Sequence, residues 1–423
     1  MGCANNLQRS FNSIQVLNLH GSGNVNFLGT RGAEDENVFD ILQGVGIGLF
    51  SKRFESNRVI YSELIGNRKY KYDCLIENRH IKAEPLTPSS PYFLWIPRTQ
   101  VDGADSGELV SLTELFGFYN VSGKPGDDNL LVSFDRDEVL PKLQNFRQRL
   151  ASNNKPKLTE AGRNLAAQSR NTRFDPKCVI RYAYRPFDTR FTYYDPDIWT
   201  RAVRPLKACV DGTPILLTTK IVKDPHFSHV FVTREFADVI FLSATSSVNC
   251  FSFPMHLAAT GERAGMKGLQ HSSNLRTEKV SATLTADVKD EEVFAYCYAV
   301  LHSPNYRQKY FEALQYDFPR LPLTGNLELF RALARLGGEL VTLHLLESPK
   351  LDKPRTEFIG ARNPEVEKVA YSKNTVWIDK AKTTGFKDVP EDVWNFHIGG
   401  YQVCEKWLKD RKGRALSKDD IAH

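Results

Sequence analysis

The chain has 423 residues, enough for two or three domains that each bury a core. Its 41% hydrophobic and 25% charged residues match a globular protein; no apolar run of membrane-spanning length and no signal-peptide pattern appears, so the expectation is a protein neither membrane-spanning nor secreted. A formal charge of +6 admits a polyanionic partner but is low for a genome-coating protein, so any DNA contact is expected in a focused groove.

In chain order, residues 11–19 alternate apolar and polar and predict a strand. Residues 38–52 predict a second, mostly apolar strand and residues 58–64 a third, with a Gly-, Asn- and acid-rich loop over 21–37. Three such strands need a larger sheet to complete. The prolines of 85–91 mark a linker or rigid crossing, 111–118 reads as a short helix and 123–128 as a tight turn. Val139, Leu140, Leu143, Phe146 and Leu150 recur at helical spacing within 138–151, and the polar stretch 153–173 reads as a loop plus a surface helix.

The stretch 177–257 is β-rich, with strands expected at 214–219, 229–233 and 239–242, and 259–275 reads as a mobile loop. The last third turns helical: 291–302, then a second helix capped by Ser303 with Pro304 at its first position and running through 306–315. The longest helical pattern, 326–347, is expected to break softly at Gly337-Gly338; 376–378 reads as a strand and 391–411 as a closing helix around Gly399-Gly400. No internal repeat of solenoid length is visible.

The richest chemistry lies in Tyr184-Arg185-Pro186-Phe187-Asp188-Thr189-Arg190-Phe191-Thr192-Tyr193-Tyr194-Asp195. The surrounding window 177–207 holds seven basic residues against three acids, interleaved with seven aromatics. Basic side chains neutralise phosphates, while rings and guanidinium planes stack on bases. The plain alternative is a buried strand in which the aromatics are core and Arg185 and Arg190 pair with Asp188.

Other chemistries find little support. Gly44, Gly46 and Gly48 have the wrong spacing for a cofactor loop and read better as a buried strand. Ser303-Pro304-Asn305-Tyr306 lacks the paired prolines of an adenine-methyltransferase loop and sits at a helix start. His226 and His229 have no carboxylate or thiolate at ligand spacing. Neither a nuclease signature, nor a phosphate-binding loop, nor a Ser/Cys nucleophile motif is present. Seven scattered cysteines without a Cys-x-x-Cys pair point to reduced thiols in a cytosol.

The 184–195 segment resembles the signature of the C-terminal specificity region of type ISP restriction–modification enzymes and their adenine-methyltransferase relatives. Further segments match in order: Leu301-His302-Ser303-Pro304-Asn305-Tyr306-Arg307 with 317–322, Leu327-Glu328-Leu329-Phe330 with 343–347, and 393–400 with Trp407-Leu408. Near the start, 16–21 and 37–45 resemble the end of the methyltransferase domain of the same enzymes.

The resemblance implies a mixed α/β (α+β) fold: terminal strands of a methyltransferase-type sheet, then a β-rich and finally helical target-recognition domain. Residues 1–80 would be the C-terminal part of a Rossmann-like methyltransferase domain and 81–423 the DNA target-recognition domain. The implied function is a cytoplasmic sequence-recognition module of an adenine-specific methyltransferase or type ISP prokaryotic defence system, binding double-stranded DNA and inactive alone. S-adenosylmethionine is implied for the full-length enzyme, with no cofactor, catalytic or metal residue in this chain. The alternative is a subunit of a split N6-adenine methyltransferase, active only with a methyltransferase or helicase–nuclease polypeptide that supplies the cofactor and catalytic loops. A decayed remnant is a third.

Such a module needs Lys and Arg for backbone register and Arg, Asn or Gln for base edges. The candidates are Arg173, Arg185, Arg190, Arg201, Arg204, Lys207, Arg263, Lys267 and Arg276, with Asn171, Asn249 and Gln270 as base readers. A signature shared by enzymes with different targets points to the fold or phosphates, so sequence discrimination is expected from the loops 259–279 and 153–173.

Overall fold

A computed structural model describes residues 3–21, 35–41, 43–52, 58–77, 80–88, 95, 109–151, 157–168, 173–209, 212–245, 248–257 and 272–423. The chain divides into two compact units, Met1–Ser106 and Gly107–His423. Both are mixed α/β.

The first unit carries one small sheet. After α1 (Cys3–Ser10), β1 (Ser13–His20) pairs antiparallel with β2 (Val45–Ser51) and parallel with β3 (Arg58–Glu63). Helix α2 (Arg68–Ile76) then leads to β4 (Ala83–Leu86), giving the order β2-β1-β3-β4. Pro85, expected in a linker, instead pairs with Ile60 on the outermost strand, where a missing N–H costs no ladder bond. The glycine-bearing strand expected to be buried is exposed: β2 is the other edge, and Leu49 is 61% exposed. Residues 38–41, 43 and 44 are not strand; Asn37 turns the chain by accepting the Phe39 amide and donating to the Ile41 and Gln43 carbonyls. Beneath the sheet the fully buried Lys71 ammonium meets Asp35 at 2.6 Å and the Leu19 carbonyl at 2.7 Å.

The second unit opens with β5 (Leu109–Ser111), α3 (Leu112–Leu115), β6 (Asn120–Val121), α4 (Asp128–Leu131), β7 (Val132–Ser133), α5 (Arg136–Leu150) and α6 (Glu160–Ala167). Ser111 and Thr159 cap α3 and α6 through their hydroxyls. The central β region holds β8 (Val179–Arg185), β9 (Asp188–Tyr193), α7 (Arg204–Cys209), β10 (Ile215–Thr219), β11 (Val230–Thr233), β12 (Phe236–Ala237), β13 (Cys250–Pro254), β14 (His256–Leu257) and β15 (Ser272–Ser273). With β6 and β7, strands β8 to β13 form two four-stranded sheets, β11-β10-β13-β6 and β12-β8-β9-β7, while β14 and β15 pair with each other. The strand expected at 239–242 is a turn, because the Asp238 carboxylate takes the Ile240 amide at 2.7 Å and its carbonyl takes the Phe241 amide at 3.0 Å.

Helices α8 (Glu278–Leu284), α9 (Asp290–His302), α10 (Pro304–Lys309) and α11 (Phe311–Leu314) follow, then β16 (Arg320–Pro322) and α12 (Leu327–His344). The single helix expected over 306–315 breaks at Tyr310, and the break expected in α12 is absent. Gly337 instead lets α12 approach α9: a Cβ there would lie 1.9 Å from the Ala295 carbonyl oxygen.

The C-terminal part adds β17 (Glu357–Ile359), β18 (Ala370–Ser372), β19 (Thr375–Trp377) and β20 (Gly385–Lys387), a sheet ordered β17-β20-β19-β18 of which only β19 was expected. The closing helix is in fact α13 (Glu391–Trp394), a ribbon of β21 (His397–Ile398) and β22 (Tyr401–Gln402), α14 (Val403–Asp410) and α15 (Lys418–Ala422). Gly399, at φ 57°, makes the ribbon turn so close to Leu242 that a Cβ would fall 1.9 Å from its carbonyl oxygen.

Candidate nucleic-acid interface

The signature segment is the β8–β9 hairpin. Arg185 pairs with Asp188 across a turn of Pro186, with its fixed φ, and Phe187, at φ 58°. A positive φ is unfavourable for a bulky side chain; Phe187 is held there edge-on against Phe231 at 5.0 Å and His344 at 5.8 Å.

The hairpin's charges are neutralised inside the protein. Asp188, 2% exposed, accepts from Arg190 Nε at 3.0 Å and Nη2 at 2.7 Å through one oxygen, and from Arg411 at 3.1 Å through the other. Arg190 also reaches Asp410 at 2.9 Å, and its guanidinium lies 3.7 Å over Tyr184 and 4.2 Å over Phe134. Arg411 stacks 3.5 Å over Trp407 and pairs with Asp420 at 3.4 Å. Arg185, 5% exposed, lies 3.7 Å from Asp238, which also takes the Tyr182 hydroxyl at 2.7 Å. Burial moves the Asp238 carboxyl above its ordinary value, opposed by Arg185, the Ile240 amide and Tyr182. The hairpin thus clasps the C-terminal helices α14 and α15. As placed, neither Arg185 nor Arg190 offers its charge to a phosphate, and the pairing of Arg190 with Asp188 is the one the plain structural alternative proposed.

The exposed candidates lie elsewhere. Arg201 bridges Lys124 by backbone bonds of 2.9 and 3.0 Å, which sets two exposed cations side by side. Arg204 follows at the start of α7, exposed and 3.1 Å from the equally exposed Asp197. Arg173 is exposed, and Arg276 stands exposed beside Gly117, anchored by its amide to the Leu115 carbonyl at 2.8 Å. Asn249 is half-buried. Arg263, Lys267, Asn171 and Gln270 lie outside the described residues, as do most of the 259–279 loop and residues 153–156 and 169–172 of the other; Lys207 is placed on α7 without a described side chain. Lys124 was missed by sequence reasoning because only the fold sets it beside Arg201. Asp410 and Arg411, more than 200 residues from their hairpin partners, left no local signal.

Among the described residues no cofactor or metal constellation emerges. Gly46 and Gly48 are laddered against Asn18 and Val16 within β2, which does not fit a methyl-donor cradle. His229 is buried and directed at Asp224, 2.9 Å away, and among the described residues no group of His, Cys, Asp or Glu could hold a metal ion. No helix among the described residues is long and apolar enough to cross a membrane.

A search of curated proteins finds no match. Among solved structures, the chain is similar to a nuclease-deletion mutant of the Type ISP restriction–modification enzyme LlaGI in complex with a DNA substrate mimic, with TM-score 0.61 and 17% identity over 99% of this chain. It is also similar to the ATP-dependent Type ISP enzyme LlaBIII bound to DNA, with TM-score 0.66 and 19% identity over 99% of this chain. A DrdV–DNA complex matches with TM-score 0.63 and 19% identity over 97%. The chain spans only 35%, 30% and 44% of those three chains. The family model for the Type ISP C-terminal specificity domain matches residues 115–423, nearly the whole second unit, and the chain belongs to that family.

Proposed function

We propose that the second unit recognises a duplex DNA target on behalf of a type ISP restriction–modification system. The observation that carries this reading is the match to the specificity-domain family over residues 115–423; the DNA held by all three structural neighbours supports it. Arg201, Arg204, Arg173 and Arg276 would supply phosphate and base contacts, joined by Lys207, Arg263 and Lys267. Arg185 and Arg190 would hold the hairpin that presents them. Adenine as the methylated base, S-adenosylmethionine as the donor and a separate polypeptide carrying the donor and catalytic loops complete the proposal. The exposed apolar edge of β2 favours such a partner, because a strand with Leu49 and Phe50 in solvent gains by pairing.

Fluorescence anisotropy of the purified chain with a labelled duplex tests the reading across a salt series. Affinity should fall steeply with salt, as counterion release requires. Absence of binding at low salt would refute autonomous recognition.

A further inference from the structure

The segment 353–387 carries eight cations (Lys353, Arg355, Arg362, Lys368, Lys373, Lys380, Lys382, Lys387) against four acids, a net +4 in a chain whose total is +6. All eight are exposed, and none makes a side-chain hydrogen bond or ion pair with any described residue. The signature hairpin is the opposite case: basic in sequence, neutralised in the fold.

This segment forms the β17–β20 sheet. Its inner face packs Val366, Val376, Ile378 and Val389 on Leu408 of α14 and on Leu416, between α14 and α15. Four of the cations gather at one end, with two of the acids among them: Asp379 on the same loop, and Glu367, whose carboxylate takes the Lys380 amide at 3.4 Å. Ile359 and Trp377 both pair with Gly385, so β17 exits, β19 exits and β20 enters there. Gly360 is so close to Thr384 that a Cβ would fall 2.4 Å from its methyl group, which places Arg362 nearby. The Lys368 amide bonds the Ile378 carbonyl at 3.1 Å. Lys380 and Lys382 sit on the β19–β20 loop, which Asp379 pins by accepting the Thr383 amide at 3.0 Å, its hydroxyl at 2.6 Å and the Thr384 amide at 3.1 Å.

We infer that this sheet end, with Arg362, Lys368, Lys380 and Lys382, is a second DNA contact that grips the sugar-phosphate backbone without reading sequence. The inference rests on the DNA-recognition reading above and deepens it. Lysine is a point charge suited to phosphate and lacks the fork that reads guanine. The sheet offers no stacking platform for unpaired bases: Phe358 and Phe386 pack into the core, Tyr371 stacks on Trp394, and the Trp377 indole donates to Ser372 at 3.0 Å.

The test compares the full chain with R362A/K368A/K380A/K382A and with the control R335A/K350A, whose cations are already paired with Glu339. Binding to mixed-sequence duplex DNA and to single-stranded RNA is followed by anisotropy from low to high salt. The quadruple variant should bind duplex DNA more weakly, with a log–log salt slope shallower by roughly 0.9 per lost contact, about 3.6 for four, while the control is unmoved. An unchanged slope in the variant, with the wild type still binding duplex DNA, overturns this inference alone. A wild type silent on duplex DNA overturns it together with the recognition reading. Loss confined to RNA overturns it by reassigning the surface.

Discussion

Replacing Asp188 by asparagine tests the assignment of the signature hairpin to a clasp. The carboxylate is 2% exposed and accepts three hydrogen bonds, from Arg190 at 3.0 and 2.7 Å and from Arg411 at 3.1 Å. Asparagine keeps the shape and one acceptor oxygen but removes the charge between two guanidiniums, and turns an N–H donor toward one of them. Breaking a buried ion pair costs about 3–5 kcal/mol, because the remaining charge stays desolvated. Asp410 and Asp420 retain part of the compensation, so about 3 kcal/mol is the fitting figure. For a domain of this size that corresponds to roughly 6 °C in Tm, read by thermal denaturation followed by circular dichroism. D197N is the control: its partner Arg204 and the carboxylate are both exposed, and it should cost under about 1 kcal/mol. Below the transition, D188N should keep the wild-type salt slope for DNA. A Tm within about a degree of wild type, or a slope that changes at unchanged Tm, would refute the clasp.

Three other perturbations have defined outcomes. The buried cluster of His302, His344, Tyr298 and Arg307 should make the protein acid-labile. Burial first, then Arg307, holds His302 far below its ordinary value and His344 at about 4, so protonation favours the unfolded chain. The stability they contribute is complete above pH ~6.5 and is lost as pH falls toward 4, about 3 kcal/mol from His344 alone, and H344F should flatten that loss in urea titrations. G337A should destabilise by at least about 1–3 kcal/mol, since its methyl would meet the Ala295 carbonyl, whereas G338A, with nothing within 4 Å, should be neutral or stabilising in the same titration. R201A/R204A should weaken duplex binding and make the salt slope shallower by about 1.8 without lowering Tm by more than a degree or two; a lower Tm at unchanged slope would make them structural.

Elements whose signal is local were legible in the sequence. The cap Ser303 and the apolar spacings of α5, α9 and α12 predicted those helices within a few residues. Gly337 and Gly399 were legible as special positions but misjudged: both allow close approach to a carbonyl from a distant segment, which periodicity does not encode. The 239–242 strand failed because Asp238 turns the chain with its own side chain, and three-residue strands such as β17 and β18 are too short for alternation to register. The signature was found as a cluster, but its burial depended on Asp410 and Arg411. For the same reason the less conspicuous lysines of the β17–β20 sheet escaped notice: spread over 35 residues, they converge only when the strands pair.

Recognition of a specific duplex sequence by the second unit is tested most directly by incubating the chain with a randomised duplex pool near physiological salt and sequencing the bound fraction. Enrichment of one short motif, lost when R201A/R204A replaces the wild type, is the predicted result. Binding without enrichment would contradict target recognition and leave only a grip on the phosphate backbone.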